Sequence, residues 1–144
     1  MFNLNQDDVR NFFFDVWDKS QANSALTDLE KIALTVILEH PEYNYILDNR
    51  EKYLNHQWNV ASGETNPFLH FGMHLSIVEQ LSIDQPPGVK SLYQQLCNKV
   101  HDPHEASHEL MDCLSEMIWT AQKYNQPLDA QIYFNCINKK LGHD

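Results

Sequence analysis

The stretch NPFLHFGMHL, residues 66–75, combines the signals of a helix start with two histidines four residues apart. Asn66 is a favoured N-cap residue, and proline suits the first helical position that follows it. The predicted helix runs to about Ser82, before the helix-breaking segment DQPPG. On a helical wheel Gly72 and Ser76 lie on the polar side, whereas His70 and His74 lie within the apolar face. Burial of a histidine there costs free energy unless its ring nitrogens find partners, so these two rings are candidates for a functional site.

Helical spacing of apolar residues continues along the rest of the chain, and no segment shows the alternation of a β-strand. The segment TDLE reads as a capping box, with Thr27 as N-cap and Glu30 at the third position. The predicted helices are a first one capped by Asn5, a second from Thr27 to about His40, one or two short ones within 41–57, and longer ones at 89–100, 102–124 and 128–141. No repeat or linker is present. The pattern predicts an all-α protein, a single-domain irregular helical bundle covering residues 1–144.

A second histidine pair lies in DPHEASHELMD, residues 102–112, where Asp102 is the predicted N-cap. His104 and His108 fall on the border between the apolar and acidic faces, and Asp112 continues their row. Histidines at positions i and i+4 of a helix can direct both rings to one metal ion. Two such pairs supply four imidazoles, or three and a carboxylate, a set that suits zinc, iron, manganese or nickel.

The two histidine helices are expected to pack against each other with His70, His74 and His108 converging, because each helix offers partners to the other's imidazoles. The predicted metal ligands are His70, His74, His104, His108 and Asp112. Ordinary positions explain the other histidines: a helix end for His40, the residue before a cap for His101, and the surface for His56 and His143. The alternative to a metal site is that the histidines only form a polar network in the core.

The letters HEASH, residues 104–108, also match the HExxH motif of zinc proteases. That motif normally lies inside a long helix, with its glutamate acting as base to a metal-bound water. Here it falls in the first turn, where helix capping already explains Glu105. No GxSxG motif and no glycine-rich phosphate loop occurs. The sequence therefore favours a generic metal site over a protease, and no catalytic residue is assigned.

Composition limits the classes of partner. The chain has 20 acidic and 10 basic residues among 144, a net charge of -10. Such a surface repels phosphate backbones, so nucleic-acid binding through a basic patch is disfavoured, whereas a basic protein partner would fit. No apolar run approaches the roughly 20 residues of a membrane span. The first ten residues also lack the basic character of a signal peptide. The expected location is the cytoplasm, without membrane association.

The three cysteines, Cys97, Cys113 and Cys136, are widely spaced and form no CxxC pair. An odd number without framework spacing argues against disulfides. All three are predicted to be free thiols in a reducing compartment.

Four blocks, EHPEY, TNPFLHFGMHLSIVEQ, DQPPGV and HEASHELMDCLSEMIWTAQ, resemble the family of small bacterial proteins known as domain of unknown function 1841. The resemblance spans nearly the whole chain. The family pattern has histidines at the places of the four paired histidines and acids where Asp112 and Glu116 stand. The resemblance implies a shared site, but the family has no established activity to carry over.

Two functions follow from these observations. The first is a helical metal-binding protein with a two-helix histidine cluster, acting as a hydrolase or transferase through metal-bound water. The second is a non-catalytic acidic adaptor that binds another protein, with its histidines forming a polar core network. The loop WNVASGETN and the C-terminal helix are the expected contact surfaces of the adaptor.

Overall fold

The computed structural model describes residues 6–59 and 63–143, and within these ranges it contains helices and no strand. The α-helices are α1 (Gln6–Gln21), α2 (Asp28–Leu38), α3 (Asn44–Leu47), α4 (Arg50–Tyr53), α5 (Pro67–Ile83), α6 (Val89–Val100), α7 (Pro103–Lys123) and α8 (Ala130–Leu141). A 3-10 turn, Pro41–Tyr43, separates α2 from α3. The predicted all-α class is confirmed. The predicted cap Asn5 and positions 60–62 of the WNVASGETN loop lie outside the described residues.

The helices begin where capping chemistry predicts. The Thr27 hydroxyl accepts from the backbone N–H of Glu30 at 3.2 Å, and the Glu30 carboxylate accepts from the backbone N–H of Thr27 at 2.9 Å. The side chains of Asn66 and Asp102 each accept from the backbone N–H two residues further on, both at 3.0 Å. These bonds satisfy amides that lack a partner within the helix. The predicted capping box and the starts of α5 and α7 are confirmed.

The helices form two compact units, one ending at Ser76 and the other beginning at Ile77, a division that falls inside α5. The prediction of one domain over residues 1–144 stays a prediction. Among the described residues, no helix is both long enough and apolar enough to cross a membrane.

The first unit has a core of aromatic and aliphatic side chains from α1, α2, α3 and the start of α5. Its buried members are Phe13, Phe14, Val16, Trp17, Ala33, Val36, Ile37, Ile46, Leu47, Phe68, Phe71 and Leu75. The predicted polar side of α5 is also buried at Gly72 and Ser76. A Cβ atom at Gly72 would lie 4.0 Å from Val9 Cγ1 of α1. Small residues let α5 pack on this side too, so Gly72 and Ser76 are buried although the wheel places them opposite the apolar face.

Arg10 of α1 carries a buried positive charge and is only 4% exposed. Its Nη1 donates to the carbonyls of Tyr53, Leu54 and His56 at 3.4, 3.0 and 2.7 Å. The guanidinium also lies 4.8 Å from the centre of the Trp58 ring. Burial lowers the pKa of Arg10, and nearby Asp7 opposes that effect. Arg10 therefore fastens the segment after α4 to α1.

The second unit contains α6, α7 and α8, which pack on one another. Its buried apolar residues include Val89, Leu96, Ala106, Leu110, Met111, Leu114, Met117, Ala121, Tyr133 and Ile137. The Tyr133 hydroxyl donates to Gln80 Oε1 at 2.8 Å. Gly142 closes α8 with a φ of 86°, a left-handed conformation that glycine adopts without strain. The sequence placed the start of α8 near Leu128, two residues before its observed start, because it missed Asp129 as the N-cap.

The prediction of three free thiols is wrong. Cys113 of α7 and Cys136 of α8 form a disulfide, with a Cα–Cα distance of 5.4 Å, and Cys97 is the free cysteine. The lack of a regular cysteine spacing did not exclude a disulfide, because the packing of α7 on α8 brings together two residues 23 positions apart. Cysteine usage thus no longer supports a reducing compartment, and the cytoplasmic location stays a prediction.

Candidate metal centre

Three histidines of the first unit come together at the junction of α2 and α5. The ring centroids of His40, His70 and His74 are separated by 4.7 Å (His40–His70), 4.7 Å (His40–His74) and 4.8 Å (His70–His74). One ring nitrogen from each lies within 4.8 Å of the others, so the three could hold a metal ion. His40 and His74 are 3% and 4% exposed, and His70 is half-buried.

Local sequence explains how the three rings meet. His70 and His74 are one turn apart on α5, so their side chains leave the helix on the same side. His40 follows α2 and precedes Pro41, which disfavours helical geometry in the residue before it. His40 accordingly has φ -129° and ψ 61°, and the chain turns there into the 3-10 segment. The turn leaves the His40 ring beside α5 rather than in a continuing helix.

A backbone carbonyl fixes the orientation and tautomer of His40. Its Nδ1 lies 2.7 Å from the Val36 carbonyl oxygen, an atom that can only accept a hydrogen bond. Nδ1 therefore carries the hydrogen, and the neutral ring has its lone pair on Nε2. Metal-binding histidines commonly donate their second N–H to a carbonyl or carboxylate in this way. His40 is thus prepared to act as a ligand through Nε2.

The Nε2 atoms of His40 and His70 are 3.0 Å apart. Two nitrogens at about 2.0–2.1 Å from a tetrahedral zinc ion would be separated by about 3.3 Å, a closely similar distance. Without an ion, the 3.0 Å separation is that of an N–H···N hydrogen bond, with the hydrogen on His70. The same arrangement therefore pairs the Nε2 atoms of His40 and His70 without an ion and requires little movement of these two atoms to hold a metal.

Aromatic side chains border the three histidines. The Phe71 ring lies 5.8 Å from His40, and the Tyr43 ring lies 6.1 Å from His40 and 6.3 Å from His70. Burial raises the pKa of the Tyr43 hydroxyl, helped by the charge of nearby Glu42. Imidazole nitrogens in such surroundings suit zinc and neighbouring transition metals better than calcium or magnesium, which prefer oxygen ligands.

Helical spacing predicted His70 and His74 as members of this site, whereas His40 was not predicted. A histidine at a helix end is usually explained by the helix dipole, so its position alone gave no sign of a ligand. The only signal was indirect, since EHPEY is one of the blocks that carry the family resemblance.

The other predicted ligands lie on α7 in the second unit. His104 and His108 are half-buried, and their ring centroids are 4.3 Å apart. Asp112 is exposed, and its Oδ2 lies 3.3 Å from Lys140 Nζ, which also contacts Glu109. The carboxylate of Asp112 thus takes part in an ion pair between α7 and α8. Glu105 is exposed in the first turn of α7, as the capping interpretation of HEASH expects.

The sequence profile of the family described as Domain of unknown function (DUF1841) matches residues 5–139, most of the chain. No curated protein and no solved structure matches the chain. The resemblance drawn from the four sequence blocks is confirmed, and the chain belongs to the DUF1841 family.

Proposed function

We propose that this chain is a metal-binding protein in which His40, His70 and His74 hold a divalent transition metal. The observation that supports the proposal is the convergence of three ring nitrogens within 4.8 Å at a largely buried position. The Val36 carbonyl adds to it, because it holds the hydrogen on Nδ1 and so keeps the lone pair of the neutral His40 ring on Nε2, the nitrogen that faces His70. Three imidazoles from two separate elements form a better ligand set than either HxxxH pair alone.

We propose His108 as a fourth ligand, on the strength of the sequence pattern on α7. Zinc sites in proteins are usually four-coordinate, so a further ligand is expected beyond the three histidines. Of the remaining sequence-predicted ligands, Asp112 is a poor choice because its carboxylate already contacts Lys140. His104→Ala is therefore the matched control for His108→Ala, because both rings lie on α7.

Zinc is the ion we propose first, with nickel, iron and manganese after it. Neutral imidazoles bind zinc and nickel well, whereas manganese prefers oxygen ligands and ranks low in affinity for a given nitrogen site. If three of these histidines hold the ion and water takes the fourth position, the ion would act as a Lewis acid and lower the pKa of that water. The proposed class of activity is therefore metal-dependent hydrolysis or group transfer.

A titration of metal-free, untagged protein with zinc tests the proposal. Wild type should bind one ion, and His40→Ala, His70→Ala and His74→Ala should each lose more affinity than the roughly 10–100-fold that removal of an outer partner costs. His108→Ala should weaken binding in the same way, while His104→Ala should not. The exposed His143 supplies a matched control, since His143→Ala removes an imidazole remote in sequence from every proposed ligand. Equal affinities across the whole set would reject the site.

The adaptor function has one observation in its favour. Trp119, Tyr124 and Leu128 are 56%, 62% and 59% exposed, although apolar side chains of this size usually lie in the core. Together with the net charge of -10, they fit a partner protein with basic and apolar residues. Failure of the zinc titration would make this the leading proposal.

A further inference from the structure

The Cys113–Cys136 disulfide joins α7 to α8, and its two cysteines differ in accessibility. Cys113 is 0% exposed, whereas Cys136 is half-buried. Thiol–disulfide exchange begins when an external thiolate reaches one of the two sulfurs, so access decides which sulfur is attacked. Nothing in the metal site uses either cysteine.

We propose that this disulfide is a reversible redox site and that Cys136 is the residue modified by small thiols such as glutathione. Attack of a thiolate on the Cys136 sulfur forms a mixed disulfide with Cys136 and breaks the bond to Cys113. Cys113 leaves as a thiolate and takes a proton from water. A second thiol then attacks the mixed disulfide, releasing the small-molecule disulfide and the Cys136 thiol. The protein disulfide gains two electrons, and two small thiols lose them.

The second unit keeps other contacts that hold α8 in place when the disulfide opens. Tyr133 and Ile137 of α8 are both 0% exposed. The Lys99 ammonium donates to the Lys140 carbonyl at 2.5 Å, and Lys140 contacts Glu109 and Asp112. The reduced unit should therefore stay folded while losing a covalent constraint, which makes the exchange reversible.

The main experiment uses the full chain carrying Cys97→Ser, so that the free cysteine cannot compete. The oxidised protein is treated with reduced glutathione, quenched with an alkylating agent at short times, and mapped by mass spectrometry. The expected transient adduct is glutathione on Cys136, followed by two free thiols. Re-oxidation with glutathione disulfide should restore the Cys113–Cys136 bond.

Three results would overturn the proposal. They are an early adduct on Cys113, a disulfide that opens only after unfolding, and two free thiols that persist in glutathione disulfide.

Matched single-thiol chains give an independent measurement. With Cys97→Ser present, Cys113→Ser should leave a Cys136 thiol that glutathione disulfide modifies in the folded protein. Cys136→Ser should leave a Cys113 thiol that reacts at least 10-fold more slowly, and equal rates would contradict the assignment.

Discussion

Zinc should stabilise the wild-type protein against heat, and removal of His74 should abolish that effect. A ligand that binds only the folded state at about 100 times its Kd adds about 2.7 kcal/mol. For a chain near 150 residues, each kcal/mol shifts Tm by about 2–4 °C, so the expected rise is roughly 5–11 °C. His74 is 4% exposed, and truncation to alanine also leaves a cavity costing about 2–4 kcal/mol. His74→Ala should thus melt lower than wild type and gain little from zinc.

The assay is a thermal melt of each protein in a chelator and in excess zinc, followed by circular dichroism. His143→Ala is the control, and it should respond to zinc as wild type does because His143 is exposed and lies outside the proposed ligand set. A wild type whose Tm does not shift with zinc, nickel, iron or manganese would contradict the proposed site. A His74→Ala protein with the full wild-type shift would contradict it equally.

Three further predictions concern stability. Arg10→Met keeps a long apolar side chain but removes the Arg10 donor from the backbone carbonyls of Leu54 and His56, whereas the Tyr53 carbonyl keeps its bond from the His56 N–H. Urea unfolding should therefore show a loss of about 3 kcal/mol; a loss below about 1 kcal/mol would contradict it. The pKa of Glu30 is lowered by the hydrogen bond from Lys19 and then by that from the Thr27 backbone N–H. Its contribution to stability is therefore complete above the unfolded carboxylate pKa of about 4.3 and is lost as pH falls through the lower folded value. Melts at a series of pH values should show wild type losing stability more steeply in acid than Glu30→Gln, and parallel curves would argue against this pairing. Cys136→Ser should cost about 2–4 kcal/mol relative to oxidised wild type and remove the effect of reductant on Tm; an unchanged Tm would show that the disulfide contributes nothing.

Local chemistry explains what the sequence predicted correctly. Capping at Thr27, Asn66 and Asp102 depends on a few neighbouring residues, so the helix starts could be located without a structure. The adjacency of His70 and His74 follows from helical periodicity alone. The all-α class rests on the same periodicity repeated along the chain.

Features that depend on how distant elements pack could not be predicted in this way. The place of His40 in the site requires the turn at Pro41 to bring its ring beside α5. The disulfide requires α7 to lie on α8, and Asp112 is drawn into an ion pair by Lys140, 28 residues away. Helical periodicity predicts which face of each helix is apolar. It does not predict which residues of a neighbouring helix pack against that face.

The stoichiometry of bound zinc in wild type and His40→Ala tests the central claim most directly. His40 is the proposed ligand that the sequence did not predict, and the contact of its Nδ1 with the Val36 carbonyl orients the ring. At the same free zinc concentration in equilibrium dialysis, wild type and the His143→Ala control should retain about one ion per chain. His40→Ala should retain close to none. Wild type without stoichiometric zinc, or His40→Ala with as much zinc as wild type, would contradict the account.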